Sequence, residues 1–167
     1  MKKIFKYNRP LAVIALAAVV VLALVVGPIR TLSGYENKLE RVYDSSKAMS
    51  DLMDLHGYAT KISSTGSIMG VDTAQLEKAL KALNDSIYDP TGLGSSVTEV
   101  YTQVGLVYSA IDADTSTVAY MREIDSTMMR LKHNDSYNDA AAKYNEAIKS
   151  FPASIFALGK DSAPLFS

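Results

Sequence analysis

Residues 11–26 constrain this chain more than any other feature: they are sixteen consecutive residues, LAVIALAAVVVLALVV, without one polar side chain. The hydrocarbon core of a bilayer is about 30 Å thick, and a helix needs about 20 residues to cross it. Residues 27–29 lengthen the run, and no charged side chain lies between Arg9 and Arg30. The sequence therefore predicts a single transmembrane anchor over residues 10–29, after a basic flank at residues 1–9.

Two other interpretations of the apolar run are weaker. A core helix of a soluble domain would keep a polar face toward water, and this run has none. A cleaved signal peptide would share the basic start, which holds Lys2, Lys3 and Lys6, but it would end in small residues at the cleavage point. The residues around Gly27 offer no Ala-x-Ala spacing, and Pro28 stands where the peptidase would act. An uncleaved anchor is favoured, with a cleaved signal as the alternative.

Flanking charge predicts how the anchor is oriented. Three lysines and Arg9 precede the apolar run, whereas after Arg30 the next basic residue is Lys38. Because basic residues are enriched on the cytoplasmic side of membrane spans, the N-terminus is expected in the cytoplasm and the rest of the chain outside it. The sequence thus predicts a single-pass membrane protein with an extracytoplasmic domain.

Composition after the anchor indicates one acidic domain of ordinary size. All eighteen acidic residues lie after residue 30, and thirteen basic ones lie from Arg30 onward, so the chain from Arg30 carries a formal charge of −5. A nucleic-acid surface needs a basic stripe, and nucleic acid is therefore not expected as a partner. The chain has no cysteine, which excludes disulfides, thiol catalysis and thiolate metal sites.

Helical periodicity dominates the chain after the anchor. It predicts a helix over about residues 35–64, a second that Asp72 or Thr73 caps, a third that Ser95 or Ser96 opens, and a last, near-heptad helix over about residues 116–150. Gly27-Pro28 should kink or end the membrane helix, and Ser33-Gly34 is a second weak point. No two-residue hairpin turn joins strand-like runs. These features predict an all-α fold, an antiparallel bundle of about four long helices over residues 30–152, followed by a tail at residues 153–167.

Residues 137–152, YNDAAAKYNEAIKSFP, resemble the C-terminal signature of the LemA family. That signature holds a Tyr-Asn pair, a second pair one heptad later and then Phe-Pro. Two weaker matches are HGYA at residues 56–59 and YEN at residues 35–37, whereas the family's RRADLIPNL block is reduced here to the SDL of residues 50–52. The resemblance implies a membrane-anchored, all-helical domain without a settled biochemical role. The signature and interaction candidates it marks are Tyr137, Asn138, Tyr144, Asn145, Phe151, Pro152, Gly57 and Tyr58.

Helix geometry gives a physical reason for the spacing in this signature. Residues seven apart share one helix face, so Tyr137 and Tyr144 should line one seam, which Phe151 would extend. Asn138 and Asn145 should lie at the edge of that seam, where an amide bonds a neighbouring helix or loop. Core packing with such hydrogen bonds is the favoured interpretation, and a strip that contacts a ligand is the alternative.

Other polar groups in the sequence lack the arrangement that chemistry requires. Asp51, Asp54 and His56 do not share a helix face as metal ligands would, so a solvated face is expected there. His133 with Asp135 has the same weakness, and the serine-rich runs lack a histidine partner for a triad. No catalytic residue, metal site or cofactor is predicted.

Three classes of function remain open from the sequence. The first, which is favoured, is a membrane-anchored, non-catalytic interaction or scaffold protein whose partners are the lipid bilayer and a second copy or another membrane protein. The second is a ligand-sensing helical bundle that acts through a membrane partner, and the third is an enzyme, for which no acid–base or nucleophile arrangement is found. The methionines and leucines of residues 45–60 predict self-association or a partner contact through that helix.

Overall fold

The computed structural model describes residues 9–166, with side chains from Ala12 onward. It confirms the all-α prediction, because these residues form seven helices and contain no strand. The helices are α1 (Arg9–Ser45), α2 (Ala48–Ile68), α3 (Ala74–Ser86), α4 (Ser96–Ala110), α5 (Thr115–Lys132), α6 (Asp135–Lys149) and α7 (Ala153–Phe156). The basic flank, apart from Arg9, lies outside the described residues.

Helix α1 is longer than the sequence predicts, because it continues through both of its predicted weak points. It has 37 residues and spans about 55 Å, with Pro28 inside it. Pro28 lacks a backbone N–H, so the Leu24 carbonyl one turn earlier has no helical donor, yet the helix continues through Pro28. Thr31 Oγ1 donates to the Gly27 carbonyl at 3.0 Å in the next turn. Helix α1 therefore does not end at Gly27-Pro28 or at Ser33-Gly34, and both of those predicted ends are wrong, whereas a kink at Pro28 stays a prediction.

The breaks lie instead at residues 46–47 and at residues 133–134. The helix predicted over residues 35–64 is divided between α1 and α2, and Lys47 between them has a left-handed φ of 67°. The helix predicted over residues 116–150 is likewise divided into α5 and α6, so it is not one rod of about 50 Å. At its break the Asn134 side chain accepts a hydrogen bond from Tyr137 N at 3.1 Å and caps α6. Asparagine favours such caps over helix interiors.

The two breaks face each other and form one joint across the bundle. Asn134 Nδ2 donates to the Ser46 carbonyl at 3.0 Å and lies 3.2 Å from Ser46 Oγ. On one side of this joint α1 packs against α6, and on the other side α2 packs against α3, α4 and α5. The four-helix cross-section that the sequence predicts is thus found in α2–α5, and the pair of α1 and α6 connects it to the apolar segment.

Helix α2 packs against α3, α4 and α5, so part of the apolar pattern at residues 45–60 is buried within the bundle. Leu52 and Leu55 are fully buried in the core, whereas Met53 is 38% exposed. Asp51, which the sequence places on a solvated face, is also buried and pairs with Arg130 of α5. A helix surrounded by three others buries more than one stripe, which accounts for the breadth of the apolar pattern in α2. The contact with a partner through residues 45–60 stays a prediction.

The first part of α1 differs from the rest of the chain in having no protein around it. One helix among the described residues is long and apolar enough to cross a membrane, Ala12–Ser45, and its most apolar window has a mean hydropathy of 2.9 and no buried residue. From Leu32 onward α1 enters the core, where Leu32, Leu39 and Tyr43 are buried. A single helix therefore supplies both the exposed apolar segment and part of the domain's core.

Candidate functional site

The inner face of α6 buries two tyrosines one heptad apart, as its periodicity predicts. Tyr137 and Tyr144 are both fully buried. The Tyr137 ring lies between Tyr43 of α1, at a centroid distance of 5.7 Å, and Phe166, which stacks on it at 5.1 Å. The seam of α6 is therefore a packed aromatic core between α1 and the C-terminal residues.

The asparagines beside these tyrosines hold the C-terminal segment of the chain. Asn145 Nδ2 donates to the Ala163 carbonyl and Asn145 Oδ1 accepts from Ala163 N, both at 2.8 Å. Asn138 Oδ1 accepts from Phe166 N at 2.9 Å, and its Nδ2 lies 3.5 Å from the Phe166 carbonyl and 3.2 Å from that of Lys132. The side-chain amide of each asparagine thus faces both the backbone N–H and the backbone carbonyl of one tail residue, in the way that a neighbouring β-strand does.

The spacing of the two asparagines matches the spacing of the tail residues they hold. Seven helical residues rise about 10.5 Å, and three extended residues cover about 10 Å. Asn138 and Asn145 are seven apart, whereas Ala163 and Phe166 are three apart and run in the opposite direction. We call these four residues the tail clamp. The sequence predicts that the amides bond a neighbouring helix or loop, and the structure identifies that loop as the predicted C-terminal tail.

The three buried tyrosines of this region differ in what their hydroxyls contact. Tyr43 OH donates to the Ile87 carbonyl at 2.6 Å, whereas the hydroxyls of Tyr137 and Tyr144 have no hydrogen-bond partner within residues 9–166. Burial raises the pKa of all three phenols above the ordinary value, with Asp89 adding to the effect at Tyr43. All three rings are buried, so the seam is a packing surface.

Phe151 does not extend the tyrosine seam, which corrects that prediction. Its ring is 79% exposed, because α6 ends at Lys149 before the next heptad position is reached. Pro152 is half-buried and directly precedes α7. Both residues line a cleft of about 360 Å³ between α1, α6 and α7, together with Pro28 and Thr31. Phe151 and Pro152 therefore lie beside the end of the apolar segment, away from the buried tyrosines.

Gly57 and Tyr58 lie apart from the α6 residues, on α2. Tyr58 stacks on Tyr120 of α5 at 6.2 Å, and Lys61 Nζ lies 5.2 Å and 4.8 Å from the two ring centroids. Gly57 is exposed, and a Cβ added there would meet no atom within 4 Å. Tyr58 therefore belongs to a surface cation–π cluster, whereas no neighbouring atom requires a glycine at position 57.

A polar cluster that sequence reasoning missed lies next to the joint. Arg130 Nε contacts Asp51 Oδ1 at 2.7 Å, and its Nη2 lies 3.7 Å from Asp54 Oδ2. Its other donors reach Ser126 and Thr127 on its own helix. The cluster borders a cleft of about 820 Å³. Because Asp51 and Arg130 are 79 residues apart, no local pattern could indicate their pairing.

Metal-binding arrangements are not found among the residues with described side chains, which contain no group of three or more His, Cys, Asp or Glu placed to hold an ion. Comparisons of the chain with models of protein families, with curated proteins and with solved structures find no match. The resemblance to the LemA family therefore remains a prediction that rests on the residues of α6, and the function is argued from geometry.

Proposed function

We propose that this chain is a membrane-anchored, non-catalytic interaction protein whose helical domain is held at the bilayer by α1. The observation that carries the proposal is the division of one helix into two environments. Its large side chains between Val13 and Ile29 are exposed, whereas Leu32, Leu39 and Tyr43 are buried in the domain. Exposed apolar residues over the length of a membrane span are stable only in lipid or against another apolar surface.

Continuity of α1 has a mechanical consequence for the proposed function. No flexible linker separates the apolar segment from the core, because α1 has no break before residue 46. A domain attached in this way keeps a fixed height and a restricted tilt. Confinement to a plane also raises its effective concentration toward a second copy or another membrane protein. These two effects suit a scaffold that presents one surface laterally.

Charge argues against nucleic acid as a partner of the domain. The chain from Arg30 onward has a formal charge of −5, and its basic residues are interspersed with acidic ones. We place the N-terminus in the cytoplasm and the domain outside, on the basis of the flanking charges. Protease added to intact spheroplasts should digest the domain, and protection of the domain would contradict this orientation.

A ligand-sensing bundle is the second candidate, and the polar cleft at the joint is the observation that favours it. Convergent polar groups in a concavity mark many ligand sites. Here, however, Nε and both terminal nitrogens of Arg130 already contact Asp51, Ser126 and Thr127 within the bundle. A ligand would have to break these bonds, so the cluster is better explained as a connection between α2 and α5.

Extraction of cell membranes with alkaline carbonate tests the proposed anchor. The chain should remain in the pellet. A Val19→Lys/Leu22→Lys variant should move to the supernatant, because each lysine near the centre of a span costs about 2.5–3.5 kcal/mol of insertion free energy. Ile68→Lys is the matched control, since that side chain is already exposed at the end of α2, and it should stay in the pellet. Release of the unaltered chain, or a mature N-terminus beyond residue 27, would contradict the anchor.

A further inference from the structure

The segment around α7 exposes three large apolar side chains in a short stretch of chain. Phe151, Ile155 and Leu158 are 79%, 54% and 85% exposed. The small residues between them, Ala153 and Ala157, are buried and hold the segment to the domain. We call residues 151–158 the α7 tip. Large apolar side chains that are clustered, exposed and held on a fixed backbone usually mark a contact with another apolar phase.

The α7 tip lies beside the point where α1 leaves the apolar segment. Phe151 and Ala153 line the same cleft as Pro28 and Thr31, so the tip is level with the last apolar residues of the span. Just after the tip, Lys160 Nζ contacts Glu36 Oε1 of α1 at 2.7 Å. The chain then runs along α6 toward the joint, because Ala163 pairs with Asn145 and Phe166 pairs with Asn138. The tip is therefore at the end of the domain that faces the apolar segment.

The chemistry of the tip matches the boundary between lipid head groups and acyl chains. Aromatic and aliphatic side chains are favourable there, and neighbouring basic residues attract anionic head groups. Lys143 lines the cleft together with Glu146, and Lys149 is exposed in the last turn of α6, two residues before Phe151. A second protein would need a matching apolar pocket at that level, whereas the bilayer is already there if α1 spans it.

We propose that the α7 tip is a second membrane contact, which inserts Phe151, Ile155 and Leu158 beside the transmembrane helix. The inference rests on the proposed anchor, since the span brings the tip to the bilayer surface. Two attachment points fix the rotation of the domain about α1, which one helix alone leaves free. The domain would then present one constant side to neighbours in the plane of the membrane.

Tryptophan fluorescence in vesicles tests the contact, because the chain contains no tryptophan of its own. Full-length Phe151→Trp and Leu158→Trp variants are reconstituted in vesicles of phosphatidylcholine and phosphatidylglycerol, with and without bromine at carbons 6 and 7 of the acyl chains. Val19→Trp reports on the span, and Ile68→Trp reports on an exposed apolar position at the far end of α2. Circular dichroism confirms that each variant keeps its helix content.

Brominated lipid should reduce the fluorescence of both tip variants at least twofold, quench Val19→Trp and leave Ile68→Trp unchanged. Quenching at Val19→Trp without quenching at the tip would overturn the second contact and keep the anchor. A blue-shifted tip tryptophan that bromine does not quench would also overturn it, because a protein surface would then cover the tip. Quenching at the tip but not at Val19→Trp would contradict the span and, with it, a tip contact beside a transmembrane helix. Absence of quenching at all four positions would overturn both proposals, and equal quenching at Ile68→Trp would overturn a contact specific to the tip.

Discussion

At the residue scale, the buried tyrosines show that hydrogen bonding and burial contribute separately to stability. All three rings are buried, but only the Tyr43 hydroxyl has a protein partner, the Ile87 carbonyl. Tyr43→Phe should lower the free energy of unfolding by about 0.5–1.5 kcal/mol, because it leaves a carbonyl unpaired. Tyr137→Phe and Tyr144→Phe should be neutral or stabilising, because each removes a buried hydroxyl without a partner. Urea unfolding of the full chain in detergent micelles measures all three, and a loss above 1 kcal/mol for Tyr144→Phe would contradict the described packing.

The same tyrosines predict how stability depends on pH in the alkaline range. Burial raises their pKa in the folded state above the ordinary value near 10, so the folded chain holds these protons more tightly than the unfolded chain does. Stability should therefore be constant with respect to these groups below about pH 9 and should fall as pH rises above 10. Absorbance of tyrosinate at 295 nm, recorded together with circular dichroism, should show a late fraction of tyrosines that ionise only as helix content is lost. Complete ionisation before any loss of helix would contradict the burial of these rings.

At the element scale, the tail clamp predicts that two asparagine side chains hold the C-terminal segment. Asn145→Ala removes two hydrogen bonds of 2.8 Å to the tail backbone and should cost about 1–2 kcal/mol. That cost increases the detached population of the tail roughly five- to thirty-fold. Tryptic cleavage after Lys160, followed by mass spectrometry, should accelerate by a similar factor. Asn84→Ala on the exposed side of α3 is the matched control and should leave the cleavage rate unchanged. An unaltered cleavage rate for Asn145→Ala would show that the tail clamp does not hold the tail.

Two variants of Asn134 separate its capping of α6 from its hydrogen bond to Ser46 across the joint. Its Oδ1 caps α6 and its Nδ2 bonds Ser46, across 88 residues of sequence. Asn134→Asp keeps the cap and loses the donor, whereas Asn134→Ala loses both, so the alanine variant should be less stable by about 1 kcal/mol more than the aspartate variant. Chemical unfolding of the pair measures the difference. Equal stability of the two variants would show that the cap does not form.

The sequence predicts which helices exist better than it predicts the residues at which they begin and end. The amphipathic stripes of α3 and α4 were enough to predict these two helices, because each stripe is local and needs only one buried face. The joint could not be predicted, since Lys47 carries no glycine or proline signal and the partner of Asn134 is Ser46. The Asn-Asp-Ser sequence at residues 134–136 was a usable cap signal that the strong heptad pattern obscured. At residues 45–60 a broad apolar pattern indicates burial without showing whether the neighbours belong to the same chain, so a partner contact there stays a prediction.

The candidate site was predicted in part, for the same physical reason. Heptad spacing placed Tyr137 and Tyr144 in a seam and the asparagines at its edge, because helix geometry fixes the faces of residues seven apart. It also placed Phe151 in that seam, but the helix ends at Lys149 and the ring is exposed. The tail that the asparagines hold has no periodic pattern, and its position depends on contacts across 18 and 28 residues.

At the scale of the whole molecule, α1 unites the apolar segment, the core and the α7 tip. The proposed function follows from this continuity, because the position of a domain without a linker is fixed by the position of its membrane span. Three environments are possible for the apolar half of α1: it spans a bilayer, it lies along the surface, or it packs against another protein. Each gives a different pattern of contact along the helix.

Accessibility of spin labels along α1 distinguishes these environments most directly. The chain has no cysteine, so single cysteines at residues 12–32 can be labelled in full-length protein in vesicles without removing others. For a transmembrane anchor we expect that oxygen collisions reach one broad maximum near residues 19–20, that a water-soluble nickel complex is excluded there, and that both trends reverse by residue 30. A periodicity of about 3.6 residues would instead indicate a helix lying on the surface or packed on one side against protein. Either that pattern or low oxygen accessibility throughout would contradict the transmembrane anchor on which the proposed function depends.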